Sequence, residues 1–281
     1  MEEAKSEGMP PKGAHQNTAR VVAVLEALSD AGDHGLRLTD LVDATGLGVS
    51  VIHRLLNGLV AHRLVDFDER SNRYLLGLWL ISLTAAATER YGLARFADFA
   101  LDRLAGETAD TIYLSVLSGH DSVCVDRREG AFPIRTLTLN VGDYRPLGVG
   151  AGSMALLAFQ AAGVRDDIVA QDQERRDSFG LSNDWLTASM EQTIQDGFAL
   201  NDGRLIQGMS GVGVPIRKKD GVAIGAVSVA AISDRLSGDR LQWVVGLVRD
   251  AVRQIEELGS DVINSPIAKR QAAGRHSRAA T

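Results

Sequence analysis

The feature that most constrains this chain is the order of structural elements that its apolar pattern predicts over residues 17–77. Three short segments carry apolar residues every three or four positions, which is the period of an amphipathic helix. Two shorter runs then flank a polar turn, which is typical of a β-hairpin. The helices are predicted from Thr18 to Ala31, around Leu41 and Val42, and from Ser50 to His62, and the strands at 64–67 and 73–76. Helix, helix, tight turn, helix and hairpin is the order of a winged helix-turn-helix.

The rest of the chain predicts a second domain of mixed α/β type. A helix at about 78–91 follows the hairpin and is expected to connect the two domains. After Gly106, strands alternate with helices and hairpin turns, which differs from a regular series of parallel strand–helix–strand units. The strands are predicted at Thr111–Leu117, Ser122–Arg127, Ile134–Val141, 211–217 and 222–232, before a helix over Ser237–Leu258. We therefore expect an α+β protein with a winged helix at 17–77, a linker helix at 78–92 and a sensor-like domain at 93–260.

Composition places the chain among ordinary globular proteins and excludes several classes. Of its 281 residues, 45% are hydrophobic and 23% are charged, and no apolar run is long enough to span a membrane. Residues 1–16 are polar and lack the apolar stretch of a signal peptide. A single cysteine, Cys124, excludes an internal disulfide and a zinc cage of cysteines. We expect a cytoplasmic protein with no membrane contact.

Both ends of the chain are expected to be disordered, over residues 1–16 and 261–281. The last 17 residues contain four lysines or arginines and no acid, although the whole chain carries a net charge of −6. This basic tail is rich in alanine, glycine and serine, which is typical of a disordered segment. It is interpreted as a solubilising tail, with a nonspecific DNA-contacting arm as the alternative.

The third predicted helix has the residue types of a DNA recognition helix. No acidic residue lies between Ala44 and Val65, and Ile52, Leu55, Leu56 and Leu59 form the inward face of the helix. The other side offers arginine for guanine or phosphate, asparagine for adenine and serine for phosphate. The residues expected to contact operator DNA are Ser50, Val51, His53, Arg54 and Asn57 of the helix, with Arg70 and Arg73 of the wing. The alternative is a solvated helix face on a protein–protein module.

A glycine-rich stretch, Gly148–Ala155, is the second candidate for chemistry. Residues 150–155 match the dinucleotide fingerprint G-x-G-x-x-A, but Pro146 intervenes after the nearest predicted strand, which is a poor context for that motif. Backbone N–H groups at the start of the following helix would hold an anion without any cationic side chain. The alternatives that stay open are a purely structural turn and an enzyme that uses this loop to hold a nucleotide or a phosphorylated metabolite.

Several motifs, in order along residues 16–260, resemble the isocitrate-lyase-regulator (IclR) family of bacterial transcription factors. They are Gly46 to Leu56, Tyr74 to Gly77, Val125-Asp126-Arg127, Val141-Gly142 before Pro146-Leu147, Gly197-Phe198, Gly208, Val214-Pro215-Ile216 and Gly225 to Val229. The resemblance implies a winged helix, a linker helix that helps dimerisation, and a C-terminal effector-binding domain of GAF-like, mixed α/β fold. It also implies a homodimer or a dimer of dimers that binds operators under the control of a small metabolite.

The resemblance further implies where the effector binds. Carried over position by position, the pocket falls on Ala151, Gly152, Asn201, Met209, Gly211, Ser228 and Ala230. Asn201 stands at an aspartate position of the family, and the loss of that negative charge favours an anionic ligand. We therefore expect a small organic acid, of an aromatic or longer-chain kind, with its carboxylate on the amides near Ala151 and Gly152. The alternative is that Ser228 satisfies a strand edge and Met209 fills the core.

Catalysis finds little support in the sequence. The six histidines are scattered, with no H-x-x-x-H spacing and no cluster with cysteine, and G-x-S-x-G is absent. We therefore expect no catalytic residue, no metal and no cofactor. The sequence favours a metabolite-responsive transcription factor over an enzyme and over a degenerate, protein-binding module.

Overall fold

The computed structural model describes residues 12–84 and 92–264, with only the backbone described for residues 12–15. The chain divides into two units, residues 1–90 and 91–281, and each is described by itself. The disorder expected for residues 1–11 and 265–281 lies outside the described residues, as does the linker segment 85–91.

The first unit is a winged helix-turn-helix. Its elements are α1 (Lys12–Asp30), α2 (Leu38–Thr45), α3 (Val49–Ala61), β1 (Val65–Asp68) and β2 (Arg73–Leu76). The three helices share one apolar core, in which Val24, Leu41 and Ile52 are fully buried. Gly46 ends α2 with a backbone φ of +66°, a left-handed conformation that favours glycine and makes the tight turn before α3.

Two expected boundaries are wrong. Residues 12–16, expected as part of a disordered tail, form the start of α1. The predicted tail at 261–281 also begins too early, because α11 (Ser260–Ile263) continues the fold and Ile263 is buried. Of the linker helix, the described part, α4, covers residues 79–84.

The second unit is built on a six-stranded sheet in the order β5-β4-β3-β8-β7-β6, and every described pairing is antiparallel. The strands are β3 (Thr111–Ser118), β4 (Asp121–Glu129), β5 (Tyr144–Pro146), β6 (Ala199–Ile206), β7 (Met209–Arg217) and β8 (Ala223–Ile232). The helices are α5 (Leu93–Thr108), α6 (Ala151–Ala158), α7 (Ala162–Gln171), α8 (Gln173–Asp177), α9 (Asn183–Asp196) and α10 (Gly238–Leu258). This arrangement confirms the expected α+β class.

The two faces of the sheet carry different side chains because successive residues of a strand point to opposite sides. On β3, Ile112 and Leu114 belong to a core shared with α5 and α10. On β8, Val227 and Val229 face the same core. On the side of α6, β8 carries the small residues Ala226, Ser228 and Ala230, whereas β3 carries Tyr113 and Ser115.

The segment Ile134–Val141, predicted as a strand, has no regular secondary structure. Its backbone is held by side chains in place of a neighbouring strand. The Tyr113 hydroxyl donates to the Thr136 carbonyl at 2.5 Å and accepts from the Thr138 N–H at 3.1 Å. Arg145 donates to the Thr138 carbonyl at 2.6 Å. Thr136 is buried and Leu137 is exposed, although the segment pairs with no strand.

Within the described ranges, no single helix is long and apolar enough to cross a membrane; only the consecutive pair α2 and α3, which is bent by 113°, passes that test together.

Candidate functional site

The third helix of the first unit presents a polar face to solvent. Ile52, Leu56 and Leu59 are buried in the core of that unit, and their burial determines which side of α3 is exposed. Of the residues predicted to contact DNA, Ser50, His53, Arg54 and Asn57 are exposed and Val51 is half-buried. The structure therefore brings the predicted helical residues onto one element, with their polar members accessible.

The two wing arginines differ in what they contact. The Arg73 guanidinium donates to the Gly35 carbonyl at 2.7 Å, which ties β2 to the loop before α2. Arg70 is exposed, and its side chain makes no hydrogen bond or ion pair within the described part of the chain. Asp68 organises the turn, because the Ser71 hydroxyl and the Arg70 N–H donate to its carboxylate and lower its pKa. Arg70 is therefore the wing arginine that is available for a phosphate.

The second unit contains a cavity beside the N-terminus of α6. The helix follows Gly150, whose backbone φ is +94°, and packs closely on the sheet. A Cβ atom at Gly213 would lie 2.3 Å from the Ala151 carbonyl oxygen and 2.7 Å from the Gly152 nitrogen. Only glycine at this position of β7 allows the first turn of α6 to lie so near the strand. Ala151, Gly152 and Ser153 of this first turn line the cavity, and the first N–H groups of a helix have no partner within it.

Small side chains on two neighbouring strands complete the cavity, which has a volume of about 60 Å³. Gly211 of β7 lies beside Ala230 of β8, and Gly213 lies beside Ser228. A Cβ atom at Gly152 would lie 3.1 Å from the Ser228 hydroxyl oxygen, so that hydroxyl lies directly under the first turn of α6. The space exists because these positions lack large side chains.

All seven residues predicted to bind the effector line this one cavity: Ala151, Gly152, Asn201, Met209, Gly211, Ser228 and Ala230. They come from α6, β6, β7 and β8, which lie far apart in the sequence. Ser228 does not satisfy a strand edge, because β8 lies inside the sheet between β3 and β7. The role of the seven residues as effector ligands stays a prediction.

The sequence pattern did not identify Arg145, the one charged residue among the described residues that line the cavity. One guanidinium nitrogen donates to the Thr138 carbonyl, and the other lies 3.4 Å from where a Cβ atom at Gly150 would be. Burial lowers the pKa of Arg145 from its ordinary value. No described carboxylate forms an ion pair with it. The sequence signal that could have identified Arg145 was its position directly before Pro146 and five residues before Gly150.

Two buried polar atoms of the cavity have no hydrogen-bond partner in the described structure. They are the hydroxyl oxygen of Thr136, a residue only 2% exposed, and the side-chain oxygen of Asn201. A buried polar atom without a partner costs about 1–3 kcal/mol. A polar ligand group in the cavity would therefore supply the hydrogen bond that each of these atoms lacks.

The dinucleotide interpretation of the glycine-rich stretch is not supported by its surroundings. That fingerprint requires a parallel strand before the loop and a second one after the helix. Here β5 pairs antiparallel with β4 at the edge of the sheet. The described residues also hold no group of three or more His, Cys, Asp or Glu side chains that fits a metal ion.

Comparison with known families identifies both units. The family model "IclR helix-turn-helix domain" matches residues 18–69, and "Bacterial transcriptional regulator IclR C-terminal" matches residues 85–257. The chain belongs to the IclR family. The family resemblance seen in the sequence motifs is therefore confirmed. The expected α+β fold, with a helix-turn-helix unit and a C-terminal α/β unit, is confirmed as well.

Several relatives of this IclR-family regulator match it over most of its length. SauR of Cupriavidus necator is 30% identical over 245 residues, which covers 86% of this chain and 96% of SauR. KipR of Bacillus subtilis, an HTH-type transcriptional regulator, is 25% identical and covers 85% of this chain and 97% of KipR. A crystal structure of an IclR homologue from Microbacterium hydrocarbonoxydans, complexed with 4-hydroxybenzoate, superposes with a TM-score of 0.71 at 21% identity, over 86% of this chain and 98% of that one.

The curated relatives KipR and SauR carry the names of transcriptional regulators, as does the family model of the C-terminal unit. The chain is therefore a transcriptional regulator with a DNA-binding helix-turn-helix, and the enzyme alternative is set aside.

Proposed function

We propose that this IclR-family protein binds operator DNA through α3 and the wing, and that a small organic acid in the cavity of the second unit controls that binding. The observation that carries the proposal is the convergence of seven sequence-predicted residues on one cavity at the N-terminus of α6. Among the described residues, those that line the cavity include Arg145 and no acidic residue, so the electrostatics of the cavity favour an anion.

The exposed face of α3 supports the DNA half of the proposal. Arg54 and Asn57 lie one turn apart on that face, at a spacing that allows both to reach base edges in a major groove. Arg70 in the wing is placed to meet backbone phosphate. Because DNA is the partner, we place the protein in the cytoplasm.

The helix α4 supports assembly into a homodimer, either alone or as a dimer of dimers. Its described part and the residue before it expose apolar side chains: Leu78 is 75% exposed and Ile81 is 64% exposed. Trp79 and Leu83 are also more than a third exposed. One recognition helix reads few bases, whereas a dimer reads two half-sites.

The chemical class of the effector is supported by the cavity and by one structural neighbour. The Microbacterium homologue was crystallised with 4-hydroxybenzoate, an aromatic acid. An organic or aromatic acid therefore is the class that we propose for this chain.

The test begins with DNA fragments selected by the purified full-length protein. Fluorescence anisotropy then measures the Kd for a selected fragment with and without a panel of aliphatic and aromatic acids. At least one acid should change the Kd by about fivefold or more, since allosteric coupling is commonly 1–3 kcal/mol. Replacing Gly211 by leucine fills the cavity and should abolish this response while DNA binding is kept.

Gly163→Leu is the matched control, because Gly163 lies on α7 with open space around its Cβ position. Failure to select any DNA sequence would overturn the DNA half of the proposal. A response to acids that persists in Gly211→Leu would overturn the assignment of the cavity.

A further inference from the structure

We propose that Arg145 is the anion receptor of the cavity, and that the acid it binds also carries a hydroxyl group that hydrogen-bonds to Asn201. This inference rests on the proposed function and narrows it in two ways. It assigns the carboxylate to a side chain in addition to the backbone amides of α6, and it names a second polar group on the ligand.

Arg145 has the position and the free donors that an anion receptor needs. A guanidinium group has five N–H donors, and Arg145 uses a donor for the Thr138 carbonyl at 2.6 Å. Its other terminal nitrogen points toward Gly150, where α6 begins. The side chain of Leu205 from β6 approaches the same point, at 3.5 Å from the Gly150 Cβ position. The guanidinium and the positive end of α6 thus face one small volume.

The charges around Arg145 leave it available for a ligand. The Asp143 carboxylate, whose charge partly offsets the lowering of the Arg145 pKa by burial, accepts the Asn140 N–H at 2.7 Å and forms no ion pair with Arg145. Arg145 is half-buried, and a carboxylate bound there would supply the missing counter-ion in a geometry that allows two parallel hydrogen bonds.

A second, uncharged polar group on the ligand follows from Asn201 and Thr136. The Asn201 amide makes no side-chain hydrogen bond in the described structure, and its oxygen is buried. The buried Thr136 hydroxyl is likewise without a partner. A ligand hydroxyl both donates and accepts, so it satisfies the Asn201 amide in either orientation of its oxygen and nitrogen.

A second carboxylate does not fit as well as a hydroxyl group. Arg145 is the one cation among the described lining residues, so a second carboxylate would be buried without a counter-ion. A hydroxyl group pays a much smaller desolvation cost. The geometry therefore favours a hydroxy monocarboxylic acid over a simple acid and over a dicarboxylic acid.

The test is isothermal titration calorimetry on the full chain with matched ligands. The pairs are propionate with lactate, butyrate with 4-hydroxybutyrate, and benzoate with 4-hydroxybenzoate, together with succinate and the neutral 4-hydroxybenzamide. At least one hydroxy acid should bind at least about tenfold more tightly than its partner without the hydroxyl group, and more tightly than succinate. Asn201→Ala should remove this preference while the partner acid binds as before.

Arg145→Gln should weaken binding of the preferred acid by about tenfold or more, since it removes a charge-assisted pair. Arg145→Lys keeps the charge and should retain part of the affinity. Arg253→Gln, on the exposed face of α10, is the matched control and should bind as the parent does. Thermal unfolding of each variant checks that the fold is kept, and the neutral amide should bind Arg145→Gln and the parent equally.

The outcomes separate the two levels of the proposal. Equal binding of the preferred acid by the parent and Arg145→Gln would overturn the anion receptor, while the proposed acid effector would stand. Hydroxy acids no tighter than their partners would overturn the second group. If no acid binds the parent protein, the proposed acid effector itself fails, and this inference fails with it.

Discussion

The first turn of α6 lies against β7 so closely that Ala151 and Gly213 are in backbone contact: a Cβ atom at Gly213 would meet the Ala151 carbonyl oxygen at 2.3 Å. This contact places the amides of the helix start beside the small residues of the sheet. The cavity therefore depends on a residue that contributes no side chain.

Gly213→Ala is expected to destabilise the protein by about 1–3 kcal/mol, because the added methyl group overpacks a filled backbone contact. It should also weaken acid binding, since α6 must move. Urea unfolding measures the first effect and calorimetry the second. Gly106→Ala on α5, where nothing lies near the Cβ position, is the control and should be neutral or stabilising. Equal stability of the two variants would contradict the close contact.

Arg54→Ala is expected to weaken binding to the selected operator by about 1–3 kcal/mol if Arg54 contacts a base bidentately. The effect should be smaller on a scrambled sequence of the same length. Anisotropy at matched salt measures both affinities. Binding of the operator as tight as that of the parent would show that Arg54 makes no contact.

Alanine substitutions of the two wing arginines should have different effects on DNA binding and on stability. Arg70→Ala should weaken binding to all DNA sequences and reduce the slope of log K against log salt by about 1, since one phosphate contact is lost. Arg73→Ala should chiefly lower the stability of the first unit, because the Arg73 guanidinium holds the Gly35 carbonyl. Salt titrations and thermal unfolding of both variants measure this. A loss of salt dependence in Arg73→Ala alone would reverse the assignment.

Ile81→Glu is expected to convert the dimer to a monomer, because a charge on this exposed apolar helix opposes burial between subunits. Ile81 is 64% exposed within one chain, so the change leaves the core of the first unit intact. Sedimentation at micromolar concentration measures the assembly. Leu258→Glu, at the exposed end of α10, is the control and should leave the oligomer unchanged. A parent protein that sediments as a monomer would contradict the prediction.

Cys124 gives a pH prediction. Burial raises the pKa of its thiol from 9.0 to about 11. Since the native thiol holds its proton more tightly than the unfolded one, its contribution to stability is full below pH 9 and is lost as the pH rises toward 11. At pH 8 the thiol is protonated and should react with a disulfide reagent about a hundredfold more slowly in the native protein than in the unfolded one. Equal rates would show that Cys124 is accessible.

The local sequence pattern predicted much of the fold. The helical period placed α3, and alternation placed β3, β4, β7 and β8 close to their observed bounds. It missed β6, whose centre reads Asn201-Asp202-Gly203-Arg204, because a polar edge strand has no apolar alternation to detect. It also predicted a strand at 134–141, where hydrogen bonds to the side chains of Tyr113 and Arg145 hold the backbone in place of strand pairing.

The sequence by itself determined the winged helix, the two-domain order and the small residues that leave room beside α6, because each depends on spacing along the chain. Only the tertiary structure decided that Arg145 lies in the cavity and that the Asn201 side-chain oxygen has no hydrogen-bond partner among the described residues. These residues belong to β5 and β6, the two edge strands of the sheet. Residues so far apart in the chain share one cavity only when the strands between them pair, and no local period records that pairing.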